Sequence, residues 1–164
     1  MNFNGRWQFE IDVAGSGFKR GLLYRDLQSE ITVPFCRLSK LSGIENVDFL
    51  EAVWYCRDVQ TLSEWEGKRL LLHFQVCDYD TTVWVRVNDN GDSVEIGRHR
   101  GGFTSFTCNL NGLLKGGDKI TIVVRARFAL AAAAERQAKT TNISTRAQPV
   151  FGEQCGSKPC RQRI

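Results

Sequence analysis

Between Lys68 and Phe106 the chain reads KRLLLHFQVCDYDTTVWVRVNDNGDSVEIGRHRGGFTSF, and the alternation within it leaves few folds open. Leu70, Leu72, Phe74 and Val76 recur at every second position, the period of a strand with one buried face. The turn Cys77-Asp78-Tyr79-Asp80 breaks the pattern. Val83, Val85 and Val87 then resume it, with Trp84 and Arg86 on the opposite face. Asn88-Asp89-Asn90-Gly91 follows, a run that tolerates positive φ in a hairpin turn. The order dictated is strand, polar turn, strand, hairpin.

The same period recurs along the chain. Trp7, Phe9 and Ile11 alternate with Gln8, Glu10 and Asp12 and predict a half-buried first strand, which Gly15, Gly17 and Gly21 break into a loop. Ile31, Val33 and Phe35 give a short second strand, and Pro34 suits it to an edge. Leu38 to Val47 reads as irregular. Phe49 to Val59 is a strand with Val53, Tyr55 and Arg57 on one side and Trp54 and Cys56 on the other. Leu62 to Gly67 turns into the next strand, with Trp65 covering one end of the core. Val94 to Gly97, Phe103 to Leu110 and Lys119 to Arg127 complete the set, the last with Ile120, Ile122, Val124 and Ala126 in register. About eight short strands with turns between them predict an all-β fold, an antiparallel two-sheet β-sandwich.

A chain of 164 residues is of single-domain length and long enough to bury a core. No apolar run approaches the roughly 18 residues that span a bilayer. Met1 to Asp12 mixes Asn, Arg, Glu and Asp where a signal peptide would be apolar, so a cytoplasmic protein is expected. Six cysteines without framework spacing then read as reduced, partly buried thiols. The net charge of +4 lies wholly beyond residue 128, since the body carries 16 basic against 16 acidic residues. A balanced body argues against nucleic acid, which needs a basic face, and no membrane partner is expected. Cys155 and Cys160 with only His73 and His99 do not supply a zinc set, and GRHRGG lacks the spacing of a phosphate loop. No metal or cofactor is expected.

LLHFQVCDYDTTVWV and IGRHRGGFTSF resemble the pattern LLHFxxVDYxAxVWVNG followed by VGxHxGGxxxF of glycoside hydrolase family 2, the beta-galactosidase and beta-glucuronidase family, in its N-terminal sugar-binding domain. NGRWQFEID, ITVPFCRLSKLSGI and AVWYCRDV match further pieces in the same order, so the likeness covers about Met1 to Arg127. It implies a jelly-roll form of the sandwich, like galactose-binding domains. It also implies a parent enzyme that cleaves terminal β-glycosidic bonds of the β-galactoside or β-glucuronide class with retention, using two Glu carboxyls about 5 to 5.5 Å apart. In the family both lie in a barrel domain C-terminal to this one. No carboxylate here inherits a catalytic role, and Glu51, Glu64 and Glu66 are expected to face solvent. The chain alone is expected to be inactive, with the catalytic barrel as its partner.

Two groups could serve a sugar at the mouth of that barrel. Asp78 and Tyr79 place an acceptor carboxylate beside an aromatic ring, chemistry that holds sugar hydroxyls, although the simpler and favoured role of Asp78 is to fix its own turn by accepting backbone N–H groups. His99, Arg100, Gly101 and Gly102 combine cations with a glycine pair that permits close backbone approach, toward either sugar or the catalytic domain. Two other function classes stay open. One is a free-standing lectin-like module, with Trp54, Trp65 and Trp84 as candidates for the exposed platform it needs. The other is a non-functional fragment.

The likeness stops near residue 128, which divides a domain 1–128 from an atypical tail 129–164. There the family's closing strand, like TGIWQxVWLE, is replaced by QPVFGEQCGSKPC. Reading the third base of each codon with the first two of the next from Gln148 permits Thr, Gly, Ile, Trp and, at Cys155-Gly156, Trp again. A shift of reading frame after about residue 128 is therefore expected, with natural divergence of the tail as the alternative, and Ala129 to Ile164 is expected to be disordered, or loosely helical around Ala129 to Ala138. The sheet edge so exposed would promote self-association.

Overall fold

The computed structural model describes residues 1–46, 48, 50–77, 79–88, 91–128 and, as backbone, 144–150. Its strands are β1 (Gly5–Asp12), β2 (Ser29–Val33), β3 (Ala52–Gln60), β4 (Arg69–Val76), β5 (Asp80–Val87), β6 (Ser93–Arg100), β7 (Phe106–Asn109), β8 (Lys119–Arg127) and β9 (Ser144–Val150), with short 3-10 turns at Lys40–Ser42 and Ser63–Trp65. They form two antiparallel sheets, ordered β2-β1-β3-β8-β5-β6 and β7-β4-β9, and so the two-sheet sandwich that the alternation predicts.

The core between the sheets takes one phase of each strand. Val53 and Tyr55 of β3, Leu72 and Phe74 of β4, Val83 and Val85 of β5, and Ile122 and Val124 of β8 are all at most 1% exposed. Trp65 closes one end of this core, as expected. Removing each such side chain from water contributes about 1.5–3 kcal/mol.

The other phase of the larger sheet is covered over its middle strands. Trp54, Cys56, Trp84 and Val123 pack beneath Leu22, Leu23 and Leu27, so the segment between β1 and β2 lies as a strap over the outer face. The polar side of β1 ties it down. Asp12 accepts from the backbone N–H of Ser16 and Gly17, each at 2.8 Å, and from the Trp54 indole at 3.1 Å. Glu10 pairs with Arg20 and Arg25 and accepts from the N–H of Gln28, while Gln8 accepts from Leu27. Glu10 and Asp12 are thus buried rather than the wet side of a half-buried strand. Gly17 is required here, because a Cβ would run into the Trp54 indole nitrogen and Asp12 Oδ2.

Other boundaries move as well. β6 continues to Arg100, so His99 and Arg100 are strand residues rather than loop, and β7 is shorter than Phe103 to Leu110. Glu51 does not face solvent freely, since its carboxylate meets Arg127 at 3.2 Å. The tail expectation is corrected at Ser144–Val150, which pairs antiparallel with β4, Leu72 opposite Ala147. β4 therefore has partners on both sides, and the edge expected to stand open there is filled. As the outer strand of its sheet, β9 can carry Pro149. The expected helix at Ala129 to Ala138, and Cys155 and Cys160, lie outside the described residues.

Candidate functional site

The turn between β4 and β5 is fixed from the backbone outward. Cys77 is buried in the core, and Tyr79 is held between two other strands. Its N–H donates to the carbonyl of Arg127 at 3.3 Å and its carbonyl accepts from the N–H of Gly101 at 2.8 Å. Asp80 then opens β5 opposite Arg100 on one side and Arg127 on the other. The alternation of β4 ends at Val76, and these bonds are what re-phase the chain for β5. Asp78 lies outside the described residues.

The two groups singled out in the sequence therefore meet. The Arg100 guanidinium stands 5.7 Å from the centre of the Tyr79 ring, a cation–π contact worth about 0.5–1 kcal/mol when exposed. Gly101 follows at φ 145°, a conformation that side chains disfavour, and its N–H is the one bonded to Tyr79. Gly102 is buried and Phe103 beyond it is 69% exposed. An exposed guanidinium, a ring and a tight glycine turn thus share one end of the sandwich.

His99 is used differently. Its ring stacks on Phe106, which stacks in turn on Phe74 with centroids 4.7 Å apart, and its Nε2 lies 3.1 Å from the Thr104 hydroxyl. This imidazole closes the gap between the edge of the larger sheet and β7. It shares its strand with Arg100 but not its surroundings.

None of Trp54, Trp65 and Trp84 is an exposed platform, each being 6% exposed or less. Sequence reading passes over what two of them hold. Arg125 of β8 lies 4.8 Å from the ring centre of Phe18, 5.7 Å from that of Trp54 and 5.8 Å from that of Trp84. A signal for this is present in the strands: those apolar in both phases need a cover on each face. Among the described residues no His, Cys, Asp and Glu cluster could hold a metal ion. Cys36, Cys56, Cys77 and Cys108 are buried thiols, and burial raises those of Cys56 and Cys108 above their ordinary range.

No family model matches the chain. A beta-glucuronidase of Bacteroides fragilis is 36% identical over 123 residues, 75% of this chain and 16% of that protein. Among solved structures, the Lactobacillus rhamnosus beta-glucuronidase superposes with a TM-score of 0.67 at 27% identity, over 79% of this chain and 21% of that one. The Ruminococcus gnavus beta-glucuronidase gives 0.63 at 23% identity, over 78% and 21%, and speaks for the fold alone. The chain therefore spans 16% to 21% of the length of these relatives.

Proposed function

We propose that this chain, similar to beta-glucuronidases over three quarters of its length, corresponds to the N-terminal domain of a family 2 glycoside hydrolase and is the accessory carbohydrate-binding sandwich of such a β-glycosidase. It works beside a catalytic barrel on a β-glucuronide or β-galactoside and performs no hydrolysis by itself. The observation that carries this reading is the junction of Tyr79, Arg100 and Gly101, where distant parts of the chain present a ring, a cation and a close backbone approach at one end. A retaining mechanism needs two carboxyls about 5 to 5.5 Å apart across the sugar, which the barrel would supply. The junction's contribution is positioning, which is worth rate even at a distance from the reacting bond. The burial of Trp54, Trp65 and Trp84 speaks against a free-standing lectin.

A chimera tests this. Residues 1–128 replace the matching region of the Lactobacillus rhamnosus enzyme, and hydrolysis of a chromogenic β-glucuronide is followed. The chimera is expected to turn over while the isolated chain does not, and Tyr79→Ala in the chimera is expected to lower kcat/KM by about tenfold. Turnover by the isolated chain, or a Tyr79→Ala chimera as active as its parent, overturns the reading.

A further inference from the structure

Opposed residues of antiparallel strands share a face, and this puts four arginines on one side of the larger sheet. Thr82 of β5 lies between Arg98 of β6 and Arg125 of β8, and in the next row Asp80 lies between Arg100 and Arg127. Arg98 is held by Glu95 through two bonds of 2.7 and 2.8 Å, and Arg127 meets Glu51. Arg100 and Arg125 make no ion pair with a carboxylate among the described residues, although Asp80 and Asp12 act on Arg125 through their charge. Arg125 stands out among the four. It is half-buried, donates no hydrogen bond to a described residue, and leaves its Nε unmatched against the rings of Phe18, Trp54 and Trp84. A planar guanidinium with unused donors is the usual partner of a carboxylate, which it takes with two parallel bonds. Beside it Phe18 is 48% exposed and offers an apolar ring face.

We propose that this outer face binds a hexuronic acid residue, with Arg125, supported by Arg98, taking the carboxylate and Phe18 packing on the C–H face of the sugar. A uronate is the ligand that joins an anion to an apolar ring face in one unit, which matches this pairing of groups. The site lies on the strap side of the sheet and gives the domain a hold on an acidic glycan apart from the Tyr79 junction. The choice of sugar rests on the reading of the chain as part of a β-glycosidase of the glucuronide class.

The full chain is titrated with D-glucuronate and, separately, with D-glucose, following the indole N–H resonances of Trp54 and Trp84. Glucuronate is expected to shift both in a saturable way that weakens with added salt, and glucose to leave them unmoved. Arg125→Gln and Phe18→Ala are each expected to weaken binding by at least about tenfold, and Tyr79→Ala to leave it unchanged. Phe18 is half exposed, so its replacement keeps the test valid if Arg125→Gln does not fold. Absence of saturable binding, equal shifts with glucose, or full binding in Phe18→Ala overturns the proposal. The chimera requires neither Arg125 nor Phe18, so a failure here leaves the domain assignment standing. Saturable glucuronate binding beside an inactive chimera supports the site and overturns the domain assignment instead.

Discussion

The imidazole of His99 lies against the phenyl ring of Phe106 with centroids 4.5 Å apart and planes 11° from parallel. Phe106 continues the stack to Phe74, so three rings from three strands join the larger sheet to the smaller one. A histidine beside Arg100 and two glycines looks like a binding residue in sequence. Its geometry gives it to packing.

His99→Phe is therefore expected to keep wild-type stability, whereas His99→Ala loses the stack and about 0.5–1.5 kcal/mol. Urea midpoints of the two variants decide this. Equal losses would mean that the Thr104 contact, not the stack, holds the ring.

Phe74 is 0% exposed in the middle of β4. Phe74→Ala is expected to open a cavity costing on the order of 3–5 kcal/mol, while the exposed Glu64→Ala stays within about 0.5 kcal/mol of wild type. A midpoint for Phe74→Ala within the range of such surface variants would contradict the assignment of faces.

Asp12 is 1% exposed and accepts from the Ser16 and Gly17 N–H groups and the Ser16 hydroxyl of the strap and from the Trp54 indole of β3. Asp12→Ala leaves those donors without an acceptor and is expected to cost about 3 kcal/mol. Trp54 emission is expected to shift to the red as the strap loosens. An unchanged emission maximum would show that the leucines hold the strap without the carboxylate.

Alkali is expected to destabilise the fold through two thiols. Burial, then the neighbouring Asp58, pushes Cys56 up to about 12, and burial pushes Cys108 up to about 11. Unfolded thiols titrate near about 8.5, so below that pH both states hold the proton and the contribution is complete. Above it the unfolded chain releases protons that the folded chain keeps, and stability falls as pH rises toward 11 and then 12. Urea midpoints between about pH 8 and pH 11 should decline, and less steeply in a Cys56→Ala, Cys108→Ala double variant. Equal slopes in variant and wild type would exclude the thiols as the cause.

The coding DNA checks the expected change of frame. The third bases of the Phe151 and Cys155 codons should both be T, so that the shifted frame reads Trp at each. A C at either position refutes it.

How much of the fold is legible in the sequence follows from what a period of two can carry. It marks β1, β3, β4, β5 and β8. In β1, β4, β5 and β8 it chooses the inner residues correctly because one phase is predominantly apolar, whereas in β3, where Arg57 shares a phase with Val53 and Tyr55, it leaves the inner side open. Period alone does not say what covers the other phase. Glu10 and Asp12 look like a wet face, yet they are anchors for a strap whose leucines follow well after them in the chain. Tyr79, Arg100 and Gly101 stand out separately in the sequence, and their meeting depends on register between strands, which side-chain pattern does not reveal. β9 escapes a reading by period because STRAQPV has no apolar alternation to announce it.

The order β2-β1-β3-β8-β5-β6 also bears on the birth of the molecule at the ribosome. β8 joins the first three strands to the β5–β6 hairpin in the backbone pairing of this sheet, with β3 on one side and β5 on the other. Until Lys119–Arg127 has emerged, the larger sheet exists as two unjoined pieces, each with an apolar face and an open edge. Pairings of such long sequence separation form slowly, and a nascent chain waiting for them is exposed to aggregation. A stalled or slowly translated stretch just before Lys119 would thus be the most hazardous pause in making this protein.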